Sequence, residues 1–413
     1  MIILPVFFFS GKLLLYNNKV SKYAFFFLII WLLYALLSIL WVIDRTMAWK
    51  DILYILFGIA TFVFLVSIKD GYKAFKQDFT HCWTRVFFVV LLVSVWEMYT
   101  AKHLISSFTV ALHQLGPFHQ LNNVPVFTFD NPNHFAIYAC LSAIIFIMAI
   151  LHKKNIILNT FLIFLNLFLV YILSSRFGII TFIFIGLITL IVFFQNQNKE
   201  KVQKAVLSLS RFLVMAFFLV ISIFGFHKIE RVHGELADSL VASNPNKKTK
   251  LMDSLSITHY ETPFNKISID ERLSSNVLRR NLILDGIYFF KESNGLGVGA
   301  GNFKSYIRAG KGHYQTDGID SPHNWVIEII SQYGAVIIIL FLILFVYLIV
   351  VIYRSVKKNG FNNNHLELIF LITCYLIISN ANSIFISLPL NWIMFSLIVL
   401  FTDDLLPSKE RRI

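Results

Sequence analysis

A chain of 413 residues that is 57% hydrophobic, with 43 phenylalanines and a mean hydropathy of +0.70, falls outside the range of soluble globular proteins. The net charge of +13 does not by itself point to nucleic acid, because in a polytopic membrane protein Lys and Arg report orientation first. Cys82, Cys140 and Cys374 lie in or beside apolar runs, so the chain carries neither a disulfide framework nor a zinc spacing.

A bilayer core about 30 Å thick is crossed by roughly 20 apolar residues in a helix. Runs of that kind cover 23–43, 50–68, 83–101, 134–152, 155–173, 177–194, 211–226, 335–353, 366–380 and 389–402. A weaker first run, 1–16, is broken by Gly11 and Lys12. Met1 to Phe9 is apolar at once, without a basic leader, so no cleavable signal is expected. The expected fold is an all-α polytopic membrane protein with about 10–12 transmembrane helices. Its expected parts are an N-terminal transmembrane bundle over 1–226, a large extracytoplasmic loop over 227–322 and C-terminal transmembrane helices over 323–413.

The basic residues set the topology. Alternate connections hold 18 Lys/Arg, from Lys19 and Lys22 through Arg354, Lys357 and Lys358 to Arg412, against 4 (Arg45, Lys50, Lys102 and Arg176) in the others. The richer set belongs in the cytoplasm, which puts the C-terminus inside and both 102–133 and 227–322 outside. Trp41, Trp49 and Trp83 near span ends fit an aromatic belt.

The outer loop 227–322 holds 13 Lys/Arg and 11 Asp/Glu, a balanced composition that suits a small helical cap. Asn244 to Lys248 reads as a turn, and 273–291 as an amphipathic helix with Leu273, Val277, Leu282, Ile283 and Ile287 on its apolar side. The loop ends at Ser321-Pro322-His323-Asn324-Trp325, where Pro322 suits the first turn of a helix. Trp325, Ile329, Gln332 and Val336 then share a face, and His323 stands at the membrane-side mouth of the loop. An imidazole of ordinary pKa near 6.5 can accept a proton at neutral pH, and a His-Asn pair that merely caps a helix is the plainer alternative.

Other outward-facing features gather with it. Arg176 follows Ser174 and Ser175 at a span end, where an arginine either snorkels to headgroups or binds an anion with its planar fork. Arg279 and Arg280, preceded by Arg272, read either as a solvated basic face or as a clamp for a diphosphate. Gly295-Leu296-Gly297-Val298-Gly299-Ala300-Gly301-Asn302-Phe303 lacks the strand of a dinucleotide fingerprint and the Gly-Lys-Ser/Thr of a P-loop. Close backbone approach, or amides facing an anion, would each explain its glycines. Asn131-Pro132-Asn133-His134 leads into a span, with Asn131 or Asn133 as a helix cap.

The order of these motifs resembles the O-antigen ligase / Wzy polysaccharide polymerase superfamily. Its ligase signature is His, then Asn, Ser or Gln, nine residues, Gly, two residues, and Gly, Thr or Tyr. His323, Asn324 and Gly334 match that spacing, while Ile337 departs from it and favours the polymerase branch. The resemblance implies a GT-C-like, metal-independent glycosyltransferase without a cofactor, multi-pass in the bacterial cytoplasmic membrane with its active site extracytoplasmic. Its donor would be a glycan on undecaprenyl diphosphate and its acceptor a second glycan, with a chain-length regulator and a flippase as further partners and no nucleic acid. His323 would be the catalytic base, with Arg176, Arg279 and Arg280 on the diphosphate and Asn324, Asn133, Gly297, Gly299 and Gly301 in support. The product would be a polymerised surface polysaccharide: capsule, O-antigen, exopolysaccharide or teichuronic-acid type. A ligase moving a finished glycan to lipid or protein is the first alternative. A transporter or flippase is the second, and it would need polar residues within the spans, of which Glu97 and Asn166 are the few.

Overall fold

The computed structural model describes residues 19–71, 75–100, 104, 124–129, 132–173, 175–195, 275–381 and 385–406. The expected spans 1–16 and 211–226, the turn at Asn244, the junction at 227, Arg272 and Asn131 lie outside the described residues. The described helices are α1 (Lys19–Ser38), α2 (Arg45–Gly71), α3 (Phe75–Thr100), α4 (Pro132–Leu151), α5 (Ile156–Ile172) and α6 (Arg176–Gln195). They continue with α7 (Ser275–Glu292), α8 (Asn302–Arg308), α9 (Trp325–Asn359), α10 (Asn363–Ile378), a 3-10 turn (Ser379–Ala381) and α11 (Pro389–Asp404). Every other expected span coincides with one of these helices, and no strand occurs among the described residues.

Continuous apolar sequence gives helices here because a backbone in lipid must satisfy its own hydrogen bonds. Among the described residues, five helices are long and apolar enough to cross a membrane: α1, Arg45–Ile68 of α2, Gln77–Thr100 of α3, α4 and α9. Their outward faces carry large apolar side chains, among them Phe26, Leu33, Leu53, Phe57, Leu92, Leu342 and Ile343. Such surfaces suit lipid and would be costly in water. The protein is a multi-pass membrane protein.

The chain divides into two compact units. One comprises 1–76 and 262–413, and the other comprises 77–261. In the first, α1, α2, α9 and α11 pack around Trp31, whose ring lies 5.5 Å from Tyr333 and 5.7 Å from Trp392. Gly58 lets α2 press onto the indole of Trp392, where any Cβ would collide with the ring. Phe27, Phe62 and Phe395 extend this aromatic core toward the far end of the helices.

The two ends of this unit differ in charge and in fastening. At one end Asp403 of α11 accepts the amides of Val20 (2.9 Å) and Ser21 (3.0 Å), and also the Ser21 hydroxyl. A carboxylate there meets both the unpaired first-turn amides of α1 and its positive dipole end. Ser355, His365 and the Leu405 carbonyl meet at the same end, beside Arg354, Lys357 and Lys358. The opposite end holds the α1–α2 corner, the glycine-rich turn and the start of α9.

In the second unit α4 is almost wholly buried against its neighbours, with Trp83 of α3 stacked on Tyr138 and bonded to Ser142 (2.8 Å). Glu97 is buried near the end of α3 and accepts amides from Leu104 (3.2 Å), Val126 (2.8 Å) and Phe127 (2.8 Å). Asn166 bonds back to the Leu162 carbonyl one turn earlier (2.8 Å). Glu97 thus fastens the connection that follows its helix and Asn166 bonds within its own helix, arrangements that a midplane transport site does not require.

Replacing Asp403 by Ala strips the first turn of α1 of its acceptor. The expected cost is about 2 kcal/mol, read as a lower thermal midpoint of the detergent-purified protein, with Asp403→Asn intermediate.

Candidate active site

The 35 residues of α9 span about 50 Å at 1.5 Å per residue, more than a bilayer core needs. The helix is broken at Gly334, whose φ of 68° and ψ of −163° are not helical. Its apolar span therefore begins at Ala335, and 325–333 is a separate segment that belongs to the polar cap. Trp325, Ile329 and Gln332 are buried along one side of that segment as expected, but Val336 is exposed, because the break at Gly334 rotates the following residues off that face.

The break leaves carbonyls that another piece of chain must satisfy, and the glycine-rich turn does so. Val298 donates to the Ser331 carbonyl (2.8 Å), Gly299 donates to the Gln332 carbonyl (2.9 Å), and Ala335 returns a bond to the Gly295 carbonyl (2.8 Å). The remaining amides of the turn are also taken. Gly297 donates to the Ser293 hydroxyl, Ala300 to the Ser38 hydroxyl and Gly301 to the Asp51 carboxylate (2.9 Å). Of the two readings of this motif, close backbone approach is the one observed. A Cβ at Gly297 would stand 2.5 Å from the Gln332 oxygen and 2.6 Å from the Gly334 nitrogen, while Gly299 and Gly301 abut Val42 and the Met47 carbonyl. Asn302 completes the joint by accepting from the Asp44 amide (2.9 Å) and donating to the Asp44 and Ala300 carbonyls. Trp41, rather than facing headgroups alone, donates to the Gly297 carbonyl (3.0 Å).

The cap formed by α7 and α8 is built on this joint, around Leu282, Phe289, Val298 and Phe303. The buried side of α7 is Leu282, Asp285, Gly286 and Phe289, whereas Val277 and Ile287 are exposed. The expected apolar side was displaced because Gly286 admits the Ile327 side chain, which turns that face of α7 toward α9. Leu273 lies outside the described residues. Asp285, although acidic, is buried because it accepts the amides of His313 (2.7 Å) and Tyr314 (3.3 Å) and so ties down the segment leading to His323. Burial pushes its carboxyl above the ordinary range, opposed by those two amides and by the His313 charge.

His323 itself has a φ of 48°, in the left-handed region that a non-glycine residue enters at a cost of about 1 kcal/mol. Pro322 precedes it but is not in the first turn: α9 begins at Trp325 with Asn324 as its N-cap. The Asn324 carboxamide accepts from the Ile327 amide (3.0 Å) and donates to Asn380 (3.0 Å). One turn on, the buried Glu328 carboxylate accepts the amides of Phe385 and Ile386, holding the α10–α11 connection against α9. The Tyr333 hydroxyl donates to Asp51 (2.8 Å). Sequence reasoning passed over Asp51, Glu328 and Asn380. Their one signal was a lone polar residue in or beside an apolar run.

Arg279 joins this end of the molecule. Gly286 of α7 lies against Ile327, and further along Gly295 lies against Ala335, so α7 and α9 advance side by side in the same direction. Arg279 stands about two turns, roughly 10 Å, before Gly286, on the side of the crossing where α9 begins. It is half-buried and Arg280 is exposed. Arg308, also exposed, pairs with Asp320, three residues before His323 (Nε to carboxylate 2.7 Å), with Lys304 at 3.9 Å. Arg176 is the exposed first residue of α6, in the other unit. Asn133 is half-buried inside the first turn of α4, so it does not occupy the cap position.

Two outcomes follow from the joint and the cap. Gly297→Ala is expected to lower folded yield and thermal midpoint sharply, because its Cβ meets backbone, whereas Gly310→Ala, with a similar φ of 69° and open space around it, should cost only about 1 kcal/mol. Because the folded pKa of Asp285 is raised, its proton is held more tightly in the folded state. The contribution of Asp285 to stability should therefore be fully present below the ordinary carboxylate pKa and should be lost as pH rises through the raised value. Asp285→Asn, which keeps an acceptor for the two amides, is expected to flatten that part of the thermal-midpoint-versus-pH curve.

Known proteins resemble this chain over the same residues. Residues 161–342 match the O-antigen ligase family model, a stretch that contains Arg176, the cap, the glycine-rich turn, His323 and the break at Gly334. The teichuronic acid biosynthesis protein TuaE of Bacillus subtilis (strain 168) is 25% identical over 390 residues, which cover 93% of this chain and 72% of that protein. The chain is thus similar to the O-antigen ligase family over 161–342 and to a protein of teichuronic acid biosynthesis over most of its length.

Proposed function

We propose that the protein is a membrane-embedded glycosyltransferase of surface polysaccharide biosynthesis that joins repeat units carried on undecaprenyl diphosphate. The observation that carries this reading is the position of His323, held in a strained backbone conformation at the start of α9 with Arg279 on the helix alongside. The matched family model and the relative named for teichuronic acid biosynthesis support the substrate class.

In this reading the acceptor hydroxyl attacks the anomeric carbon of the donor sugar and its proton passes to His323. The new carbon–oxygen bond forms as the bond to phosphate breaks, and the electron pair leaves with the lipid diphosphate. Negative charge grows on that diphosphate, and guanidinium groups fixed beside it lower the barrier most where it develops. Arg279 supplies one such group and Arg280 the next. Arg176, in the other unit, is a separate candidate for an anion: it stands at the N-terminus of α6, where the helix dipole is already positive. Asn324, Gly297, Gly299 and Gly301 support the site by fixing the start of α9, and Asn133 lies in the span that follows the first outer loop.

The site lies at the end of its unit that carries Arg45 and Lys50, opposite the end with Lys19, Lys22, Arg354, Lys357 and Lys358. That asymmetry supports an extracytoplasmic site in the bacterial cytoplasmic membrane. There, where no nucleotide sugar is present, the leaving group must arrive attached to a lipid. A ligase acting on a finished glycan remains the second reading, favoured by the matched family description, and it would use the same residues.

His323→Gln, which keeps a hydrogen-bonding side chain but loses the base, is expected to abolish polymer while membrane levels stay normal. A near-normal polymer ladder from that variant would refute the assignment. Arg279→Lys should recover little activity, because an ammonium lacks the two-pronged fork. In the deletion strain, single repeats would identify a polymerase, and long chains left on the carrier lipid a ligase.

A further inference from the structure

Asn380 lies in the 3-10 turn after α10, outside the stretch that matches the family model, and it makes two bonds of fixed sense. Its Nδ2 donates to the Leu376 carbonyl at 2.7 Å, and its Oδ1 accepts from Asn324 Nδ2 at 3.0 Å. A backbone carbonyl can only accept, so the amide of Asn380 has one allowed orientation. That orientation presents an oxygen to Asn324, which must answer with its own NH₂ and therefore turns its oxygen to the Ile327 amide (3.0 Å). The Asn324 carbonyl meanwhile accepts from Glu328 (2.9 Å), which locks the cap's backbone as well. A relay of three hydrogen bonds thus runs from Leu376 of α10 through Asn380 and Asn324, the residue covalently joined to His323, to Ile327 of α9.

We infer that Asn380 is a positioning residue: through Asn324 it sets the start of α9 so that His323 keeps its left-handed conformation and aims its ring at the acceptor. The inference rests on the reading of His323 as the base. The N-cap bond alone would hold the helix, since Ser, Thr or Asp caps as well as Asn. What Asn380 adds is a choice of one amide orientation, and hence one backbone setting for His323, at a position where a small displacement of the base costs much of the rate.

Opposite rankings of two variants separate positioning from mere packing. Asn380→Asp keeps the acceptor for Asn324 and loses the bond to Leu376. Asn380→Leu keeps the volume and loses both bonds. If Asn380 positions Asn324, the Asp variant retains most activity and the Leu variant loses about tenfold or more in turnover. The donor KM and the thermal midpoint of the Leu variant should stay near wild type. A packing role predicts the reverse, with Asp the worse of the two because it brings a charge into a half-buried site.

The assay uses membranes of a deletion strain, loaded with their own lipid-linked glycan and supplied with purified variant, and reads polymer formed per protein. A second arm places Asn380→Leu in an Asn324→Ser background, where serine still caps α9 but has no NH₂ to give. There the Leu substitution should be nearly silent, and this arm remains decisive if the single Leu variant folds poorly. Wild-type turnover in Asn380→Leu, a worse Asp than Leu variant, or an undiminished Leu effect in the Ser background would each overturn the inference. If His323→Gln is inactive while these results fail, only the role of Asn380 falls; if His323→Gln is active, the reading of the site falls with it.

Discussion

Once Gly334 takes α9 out of helical geometry, the carbonyls of Ser331 and Gln332 need donors from elsewhere, and the glycine-rich turn supplies them. An unmet carbonyl at this depth costs on the order of several kcal/mol, so break and turn cannot be retained separately. The turn must bring backbone against backbone, which explains its glycines. It must also have its own amides satisfied, which draws in Ser38, Asp51 and Ser293. Through those partners one local defect fixes α1, α2, α7 and α9 at the end where His323 stands. The candidate base thus sits on a frame assembled from both halves of the sequence.

Buried carboxylates recur as the fasteners of this frame. Glu97, Glu328 and Asp403 each accept at least two backbone amides, in connections or at a helix start, and Asp285 does the same in the cap. Intramembrane acids are read by default as functional, because a charge there is costly. Here the cost is offset by charge-assisted bonds to amides that helix ends and turns would otherwise leave bare. Such acids hold connections in place where bulk water is scarce. The transporter alternative loses its most visible support once Glu97 is seen holding the segment 124–129 in this way.

Much of the fold was legible because lipid imposes a simple rule: apolar runs of span length become helices, and the runs at 23–43, 134–152 and 389–402 did so within a few residues. The start of the 335–353 span was legible for a different reason. The glycine before Ala335 marks a real break, though sequence could not reveal that the helix resumes at once. The face of α7 was misjudged because hydropathy sends Asp285 outward and ignores Gly286, whereas packing against Ile327 and the amides of His313 and Tyr314 decides otherwise. His323, Asn324 and the arginines were found through spacing and order. Asn380 was not, because an asparagine at the edge of an apolar run has no pattern of its own; only the pairing with a residue 56 positions away gives it meaning.

The bond from Asp403 to the first turn of α1 joins residues 383 positions apart. The amides of Val20 and Ser21 leave the ribosome long before their acceptor, which lies 383 positions after Val20. Until α11 inserts, α1 lacks both its cap and the Trp392 and Phe395 rings that cover its inner face. The unit bearing His323 is therefore completed only once α11 has been made, whereas the unit of residues 77–261 has all its sequence long before. A chain that stops short of Asp403 would carry every candidate site residue and still lack a finished frame for them, so assembly itself acts as a check that α11 has been made and inserted.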